Sequence, residues 1–130
     1  MLDQRGSSSN PLAQVLSDLT REAQLPAATL SSKDGLLIAS STINGDSPTK
    51  QSAVVAKLAE AANLVRSQLT IGTPSEFSFF AEDGKRLVCR PFDLNGHEMI
   101  LAIVIPNRGQ PYRRATNRAI ARLRSAWQPG

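Results

Sequence analysis

Apolar and polar residues recur along this chain with two different periods, and the switches between the periods predict eight elements. Leu12, Val15, Leu16, Leu19 and Ala23 fall on one helical stripe behind Asn10-Pro11, a capping residue followed by the imino acid suited to a first turn. Pro26 is expected to close that helix. Strand-like runs follow at Ala27 to Lys33 and Leu36 to Ser41, then at Glu76 to Glu82, Lys85 to Phe92 and His97 to Ile105. The dipeptides Asp34-Gly35, Asp83-Gly84 and Asn95-Gly96 stand between these runs and predict tight hairpins.

A fourth such pair, Asn44-Gly45, leads instead into Ser47-Pro48, the cap-plus-proline start of a second helix that runs to about Leu69 and stops at Gly72. Val54, Val55, Leu58, Ala61, Ala62, Val65 and Leu69 form its expected core stripe. A last helix begins near Pro111, with Tyr112, Ala115, Ala119, Ile120, Leu123 and Trp127 on one side and Arg114, Arg118 and Arg122 on the other. The predicted order is α-β-β-α-β-β-β-α, and hairpin connections make the five strands one antiparallel sheet. The run Met99 to Ile105 is apolar on both alternating faces, which places it mid-sheet with cover on both sides. The fold class is therefore α+β, a three-layer α/β/α sandwich.

At 130 residues, 41% hydrophobic and 20% charged, the chain fits one globular domain, expected over residues 10–130 behind a flexible tail at residues 1–9. A single cysteine, Cys89, and a single histidine, His97, exclude an internal disulfide, a CxxC redox centre and a Cys/His zinc site. The first twenty residues lack the apolar stretch of a secretory signal, and no window suits a membrane span. With the arginine-rich usage this predicts a cytoplasmic protein of prokaryotic origin.

Candidate chemistry is sparse. Phosphate-loop, dinucleotide, zinc-helix and nucleophile-elbow motifs are all missing, so no catalytic residue, cofactor or metal is expected. His97 and Glu98 should point to opposite faces of a strand, which suits neither as the other's acid-base partner. Cys89 is in phase with Leu87 and reads as a small buried hydrophobe; Ser47 reads as a helix cap; Asp18 and Glu22 read as solvated charges.

Three surface patterns suggest partners. Ala53, Ala56 and Leu64 lie off the core stripe of the second helix among Lys57, Glu60 and Gln68. Small residues there permit close approach of another helix, or reflect only the helix propensity of alanine. Phe80 faces away from Phe77 and Phe79 in a candidate edge strand, and either pairs with a second chain or lies under a helix of its own. The six arginines after Met99, with no acid among them, leave nine basic against eleven acidic side chains in the rest of the chain. Such a helix presents a solvated face, or docks an acidic protein, an anionic membrane or, last, nucleic acid.

The segment Ala27 to Ala39 (AATLSSKDGLLIA), the alanine-rich second helix, the strand ending in Asp83-Gly84 and the apolar strand before Pro106 resemble the Roadblock/light-chain-seven family. The likeness spans about Asn10 to Trp127. It implies a five-stranded antiparallel sheet with the first and last helices on one face and the second helix on the other. It also implies homodimers in which second helices pack together and sheets join at the third strand. The family consists of non-enzymatic scaffolds and regulators, including bacterial partners of small Ras-like GTPases, and some activate the GTPase by rearranging its own switch loops. The implied function is a homodimeric regulator or scaffold for such a GTPase. The interface would draw on Ala53, Ala56, Lys57, Glu60, Leu64, Gln68 and Phe80. The alternative is a binding module that uses Arg114, Arg118 and Arg122 to dock nucleic acid, anionic lipid or an acidic protein.

Overall fold

The side-chain oxygen of Asn10 accepts from the backbone N–H groups of Leu12 at 3.0 Å and Ala13 at 3.2 Å, satisfying two of the donors that a helix start leaves unpaired. The computed structural model describes residues 10–43, 45 and 47–127. The expected tail at residues 1–9 and Asn44 of the fourth turn pair lie outside the described residues. The elements are α1 (Pro11–Glu22), β1 (Ala27–Ser32), β2 (Leu37–Thr42), α2 (Pro48–Leu69), β3 (Phe77–Phe80), β4 (Arg86–Leu94), β5 (His97–Ile105) and α3 (Arg113–Ala126).

All strand pairs are antiparallel, in the order β2-β1-β5-β4-β3. The two-faced apolar strand β5 is central, as its pattern predicts, and runs beside β4 along its whole length. Asn95-Gly96 closes the β4–β5 hairpin as a two-residue loop, both residues at positive φ, because Leu94 pairs directly with His97. The other two hairpins are looser than two-residue loops. Ser32 N–H donates to Leu36 at 2.9 Å, and Ala81 N–H to Lys85 at 2.9 Å, each around three residues that end in a glycine at positive φ, Gly35 or Gly84.

Alternation along the strands sends two sets of side chains to opposite faces. Leu30, Val88, Leu101 and Ile103 pack with Leu12, Leu16 and Leu19 of α1 and with Ile120 and Leu123 of α3. Cys89, Ile100 and Ala102 pack with Val55 of α2 on the other side. The result is the α/β/α sandwich expected from the sequence. Glu76 ties its parts together at one end. Its Oε2 accepts from Tyr112 Oη at 2.6 Å, Arg86 Nη2 at 3.2 Å and Arg113 Nη2 at 3.5 Å, linking the segment before β3 to β4 and to the start of α3.

Two helix ends differ from the sequence expectation. Helix α1 ends at Glu22, before Pro26, where Gln24 takes positive φ. Helix α2 does end at Leu69, but Thr70 rather than Gly72 supplies the left-handed residue that releases the chain.

The largest correction concerns α2. Of the stripe expected in the core, only Val55 is buried, while Val54, Ala61, Val65 and Leu69 are exposed. The inward ridge runs through Ser52, Val55 and Ala59, about a quarter turn from the most apolar side. Small side chains on this ridge let the helix sit close over Thr29, Ser31 and Ala102, themselves small and buried. Gln51 Nε2 donates to Thr29 Oγ1 at 3.3 Å across that layer. Of the larger residues on the apolar side, Leu58 packs partly against this cluster, while Val54, Val65 and Leu69 point outward.

Candidate interaction surface

Helix α2 carries the most exposed apolar surface of the described residues. Val54, Leu64, Val65 and Leu69 are between 45% and 63% exposed, and Ile71 just beyond the helix is exposed with them. Ala62, Val65, Ile71 and Phe77 line one shallow depression between the end of α2 and the approach to β3. Single exposed apolar residues are ordinary, but a cluster along one helix marks a surface built to be covered.

The residues expected at this interface divide. Ala53, Lys57, Glu60, Leu64 and Gln68 are exposed on α2, with Lys57 Nζ 3.7 Å from Glu60 Oε2 in a solvated pair. Ala56 turns inward: a Cβ on Gly35 would stand 3.1 Å from Ala56 Cβ, so this alanine packs against the β1–β2 turn of its own chain. Phe80 is 66% exposed and lies under no helix, yet it projects from the sheet face opposite α2. The aromatics on the face of α2 are Phe77 and Phe79, opposite Phe80 as the alternation predicts, and Phe79 is 59% exposed. Strand β3 hydrogen-bonds only to β4, which leaves its outer edge unpaired among the described residues.

The arginines of α3 are not a free cationic stripe. Arg122 Nη2 lies 2.9 Å from Asp18 Oδ2, and Arg118 Nη2 lies 3.9 Å from Glu22 Oε1, so acids spaced one turn apart on α1 meet arginines spaced one turn apart on α3. The reading of Asp18 as a solvated charge is therefore corrected. It is largely covered, and hydrogen bonds from Arg122 and Arg21 hold its carboxyl down at about 2. Arg114 has no carboxylate partner among the described residues.

Beside Arg114 a cleft of about 880 Å³ opens between the end of α1, the start of α3 and the β3–β4 turn. Phe80, Ile105 and Tyr112 form its apolar part, and Arg86, Arg108, Arg113 and Arg118 surround them. The Arg86 guanidinium lies 4.3 Å from the Phe80 ring centre and 5.2 Å from that of Tyr112, and Arg113 lies 5.0 Å from the latter. Burial and the bond to Glu76 push the Tyr112 hydroxyl above its ordinary value. Nothing in the sequence spacing signals this cleft, because its arginines come from three separate segments.

The remaining candidates are structural. Cys89 is fully buried, and desolvation pushes its thiol up to about 12. His97 is exposed and its ring stacks at a tilt against Trp127, centroids 5.5 Å apart. Ser47 Oγ accepts from Lys50 N–H at 3.2 Å, the cap expected of it. No group of three or more His, Cys, Asp or Glu side chains among the described residues is placed to hold a metal ion, and no described helix is long and apolar enough to cross a membrane.

No family model and no curated protein matches the sequence. Solved structures do match the architecture. MglB from Myxococcus xanthus superposes with a TM-score of 0.73 over 88% of this chain and 92% of its own, at 15% identity. A structure described as MglB with a tetrameric arrangement gives 0.71 over 88% and 86%, at 18% identity. A Roadblock/LC7 domain from Streptomyces avermitilis gives 0.65 over 88% and 92%, at 17% identity. The chain has the Roadblock/LC7 fold. In this Roadblock/LC7 sandwich the first and last helices share one face, as the sequence resemblance implied, and the second helix stands alone on the other. The exposed side of α2 and the outer edge of β3 are thus both left uncovered by the described residues of the chain.

Proposed function

We propose that this protein is a non-enzymatic homodimeric regulator or scaffold that binds a small Ras-like GTPase. The observation that carries this reading is the outward apolar side of α2, Val54, Leu64, Val65 and Leu69, beside the open edge of β3. A second copy supplies complementary surface for both at once: its own α2 lies against the first, and its β3 edge satisfies the unpaired N–H and C=O groups. The solved MglB in a tetrameric arrangement is in keeping with a chain that assembles. Ala53 at the exposed side of α2 allows the helices close approach, while Lys57, Glu60 and Gln68 form the polar rim toward a partner.

The GTPase belongs to the reading through the fold and through the resemblance of the sequence to Roadblock regulators. A paired-helix platform bears on the switch loops of a bound GTPase and aligns the partner's own residues for phosphoryl transfer, so it needs no catalytic group of its own. The tied state of Arg118 and Arg122 speaks against the α3 stripe as a nucleic-acid track.

Sedimentation at micromolar concentration tests the dimer. The wild type is expected at twice the monomer mass, and Leu64→Glu/Val65→Glu at the monomer mass with an unchanged circular dichroism spectrum, because a charge buried at an interface costs several kcal/mol. A monomeric wild type rejects the interface. A pull-down in GDP and in a non-hydrolysable GTP analogue then tests the partner: capture of a Ras-like GTPase in one nucleotide state supports the reading, and capture of none in either state overturns it.

A further inference from the structure

We propose that the arginine-lined cleft on the α1/α3 side is a second docking site, for an acidic peptide segment that carries an aliphatic or aromatic anchor. The cleft lies on the opposite sheet face from α2 and does not depend on the dimer reading. Its chemistry has two parts. Phe80, two-thirds exposed, joins Ile105 and Tyr112 as an apolar concavity, and arginines stand around it.

The charge there is only partly compensated: five arginines face the carboxylates of Glu22 and Glu76. Glu76 engages Arg86 and Arg113, and Glu22 stands 3.9 Å from Arg118. Neither Arg108 nor Arg114 has a carboxylate within 4.0 Å or a side-chain hydrogen bond among the described residues, and Nε of Arg86 is buried without a hydrogen-bond partner. Guanidinium groups gathered around apolar surface favour carboxylates that flank an apolar side chain, since each carboxylate can take two parallel N–H bonds while the anchor fills the concavity.

Other anionic partners fit less well. Single-stranded nucleic acid binds through bases stacked on open aromatic faces, but guanidinium groups already stand over the rings of Phe80 and Tyr112. A nucleic-acid backbone also needs cations in a run, and beyond the cleft the run is broken because Arg118 and Arg122 are paired with Glu22 and Asp18. A membrane surface is met by protruding apolar groups, whereas Ile105 and Tyr112 are buried at the bottom of a concavity.

Fluorescence anisotropy on the full chain tests the site, with a fluorescein-labelled peptide Glu-Asp-Glu-Leu-Phe-Glu-Asp-Glu as probe. Saturable binding is expected, weakened at least about tenfold by Arg108→Glu/Arg114→Glu and by replacing Leu-Phe in the probe with Gly-Ser. Phe80→Ala, a change at an exposed side chain, should also weaken it, and Arg122→Ala should not. Backbone amide shifts on titration should concentrate at residues 80–86 and 105–118. Absence of saturable binding, or binding indifferent to the double variant and to Phe80→Ala, overturns the proposal. So does equal affinity for the Gly-Ser probe, which would reduce the effect to bulk charge. Tighter binding of a single-stranded oligonucleotide or of phosphatidylserine vesicles, lost in the same double variant, would give the cleft to those partners instead.

Discussion

The two faces of the sheet are finished to different degrees. On the α1/α3 face, eighteen buried side chains form one cluster, rich in leucine and bounded by ion pairs between the two helices. On the α2 face the buried cluster is four residues, Val55, Cys89, Ile100 and Ala102, laid over the buried hydroxyls of Thr29, Ser31 and Ser52. One helix cannot cover a sheet face that two helices cover on the other side, and this one also turns its best apolar residues away. The comparison teaches that burial is divided unequally between the layers: the first face closes the fold, and the second leaves the apolar side of its helix bare.

The contrast can be broken most sharply at Leu16, which is fully buried between α1 and the sheet. Leu16→Ala should cost about 2–5 kcal/mol in urea unfolding, by lost burial and a residual cavity. Gly35→Ala comes next, at about 1–3 kcal/mol. It places a side chain at φ +95° and forces a Cβ to 3.1 Å from Ala56, prising α2 from the hairpin it rests on. A smaller effect is expected at the ionic seam of the closed face. Because the folded Asp18 carboxyl sits at about 2 against an ordinary 3.8, its contribution is present at neutral pH and is lost as pH falls between these values. The Tm gap between wild type and Asp18→Asn should therefore be widest near neutrality and close toward pH ~2. Last, Val54→Ser and Leu69→Ser, at concentrations where the chain is monomeric, should change stability by no more than about 0.5 kcal/mol. A loss as large as that of Leu16→Ala would show that α2 packs its apolar side inward after all.

Cys89 sharpens the same comparison from within the thinner layer. With its thiol pushed up to about 12 and fully covered by α2, it should resist iodoacetamide in the native state. Alkylation in Gly35→Ala should be faster than in wild type, followed by mass spectrometry, because it reports how often α2 lifts.

Much of the fold was legible in the sequence because its local signals agree. Asn10 and Ser47 act as the caps they resemble, Asn95-Gly96 makes the tight turn it suggests, and the two-faced pattern of Met99 to Ile105 places β5 at the centre. The orientation of α2 was not legible. A helical wheel says which residues share a side, and the usual inference that the most apolar side faces the core fails where that side is left open. Ser52 and Ala59 were passed over because burial there is set by how closely two backbones approach, which depends on Thr29 and Ala102 from distant strands. The exposure of both Phe79 and Phe80 was not legible for a related reason: alternation separates the faces of a strand, but only the reach of the covering helices decides whether an aromatic on either face is covered. Asp18, Glu22, Arg118 and Arg122 did carry a readable signal, two acids and two arginines at matching one-turn spacings, which gains meaning only once α1 and α3 are known to be neighbours.

The pairing of β1 with β5 joins residues roughly seventy positions apart, from Ala27 with Val104 to Ser32 with Met99. Every other ladder in the sheet is a hairpin between strands adjacent in sequence. This topology predicts that folding brings together two locally formed halves, β1–β2 and β3–β4–β5, with α2 as the tether between them, and that closing the long loop is the slow step. Disturbing the seam, as in Ala28→Gly or Ala102→Gly, should slow refolding, and lengthening the Asn95-Gly96 turn, which weakens a half formed before that step, should also slow refolding while leaving the unfolding rate nearly unchanged.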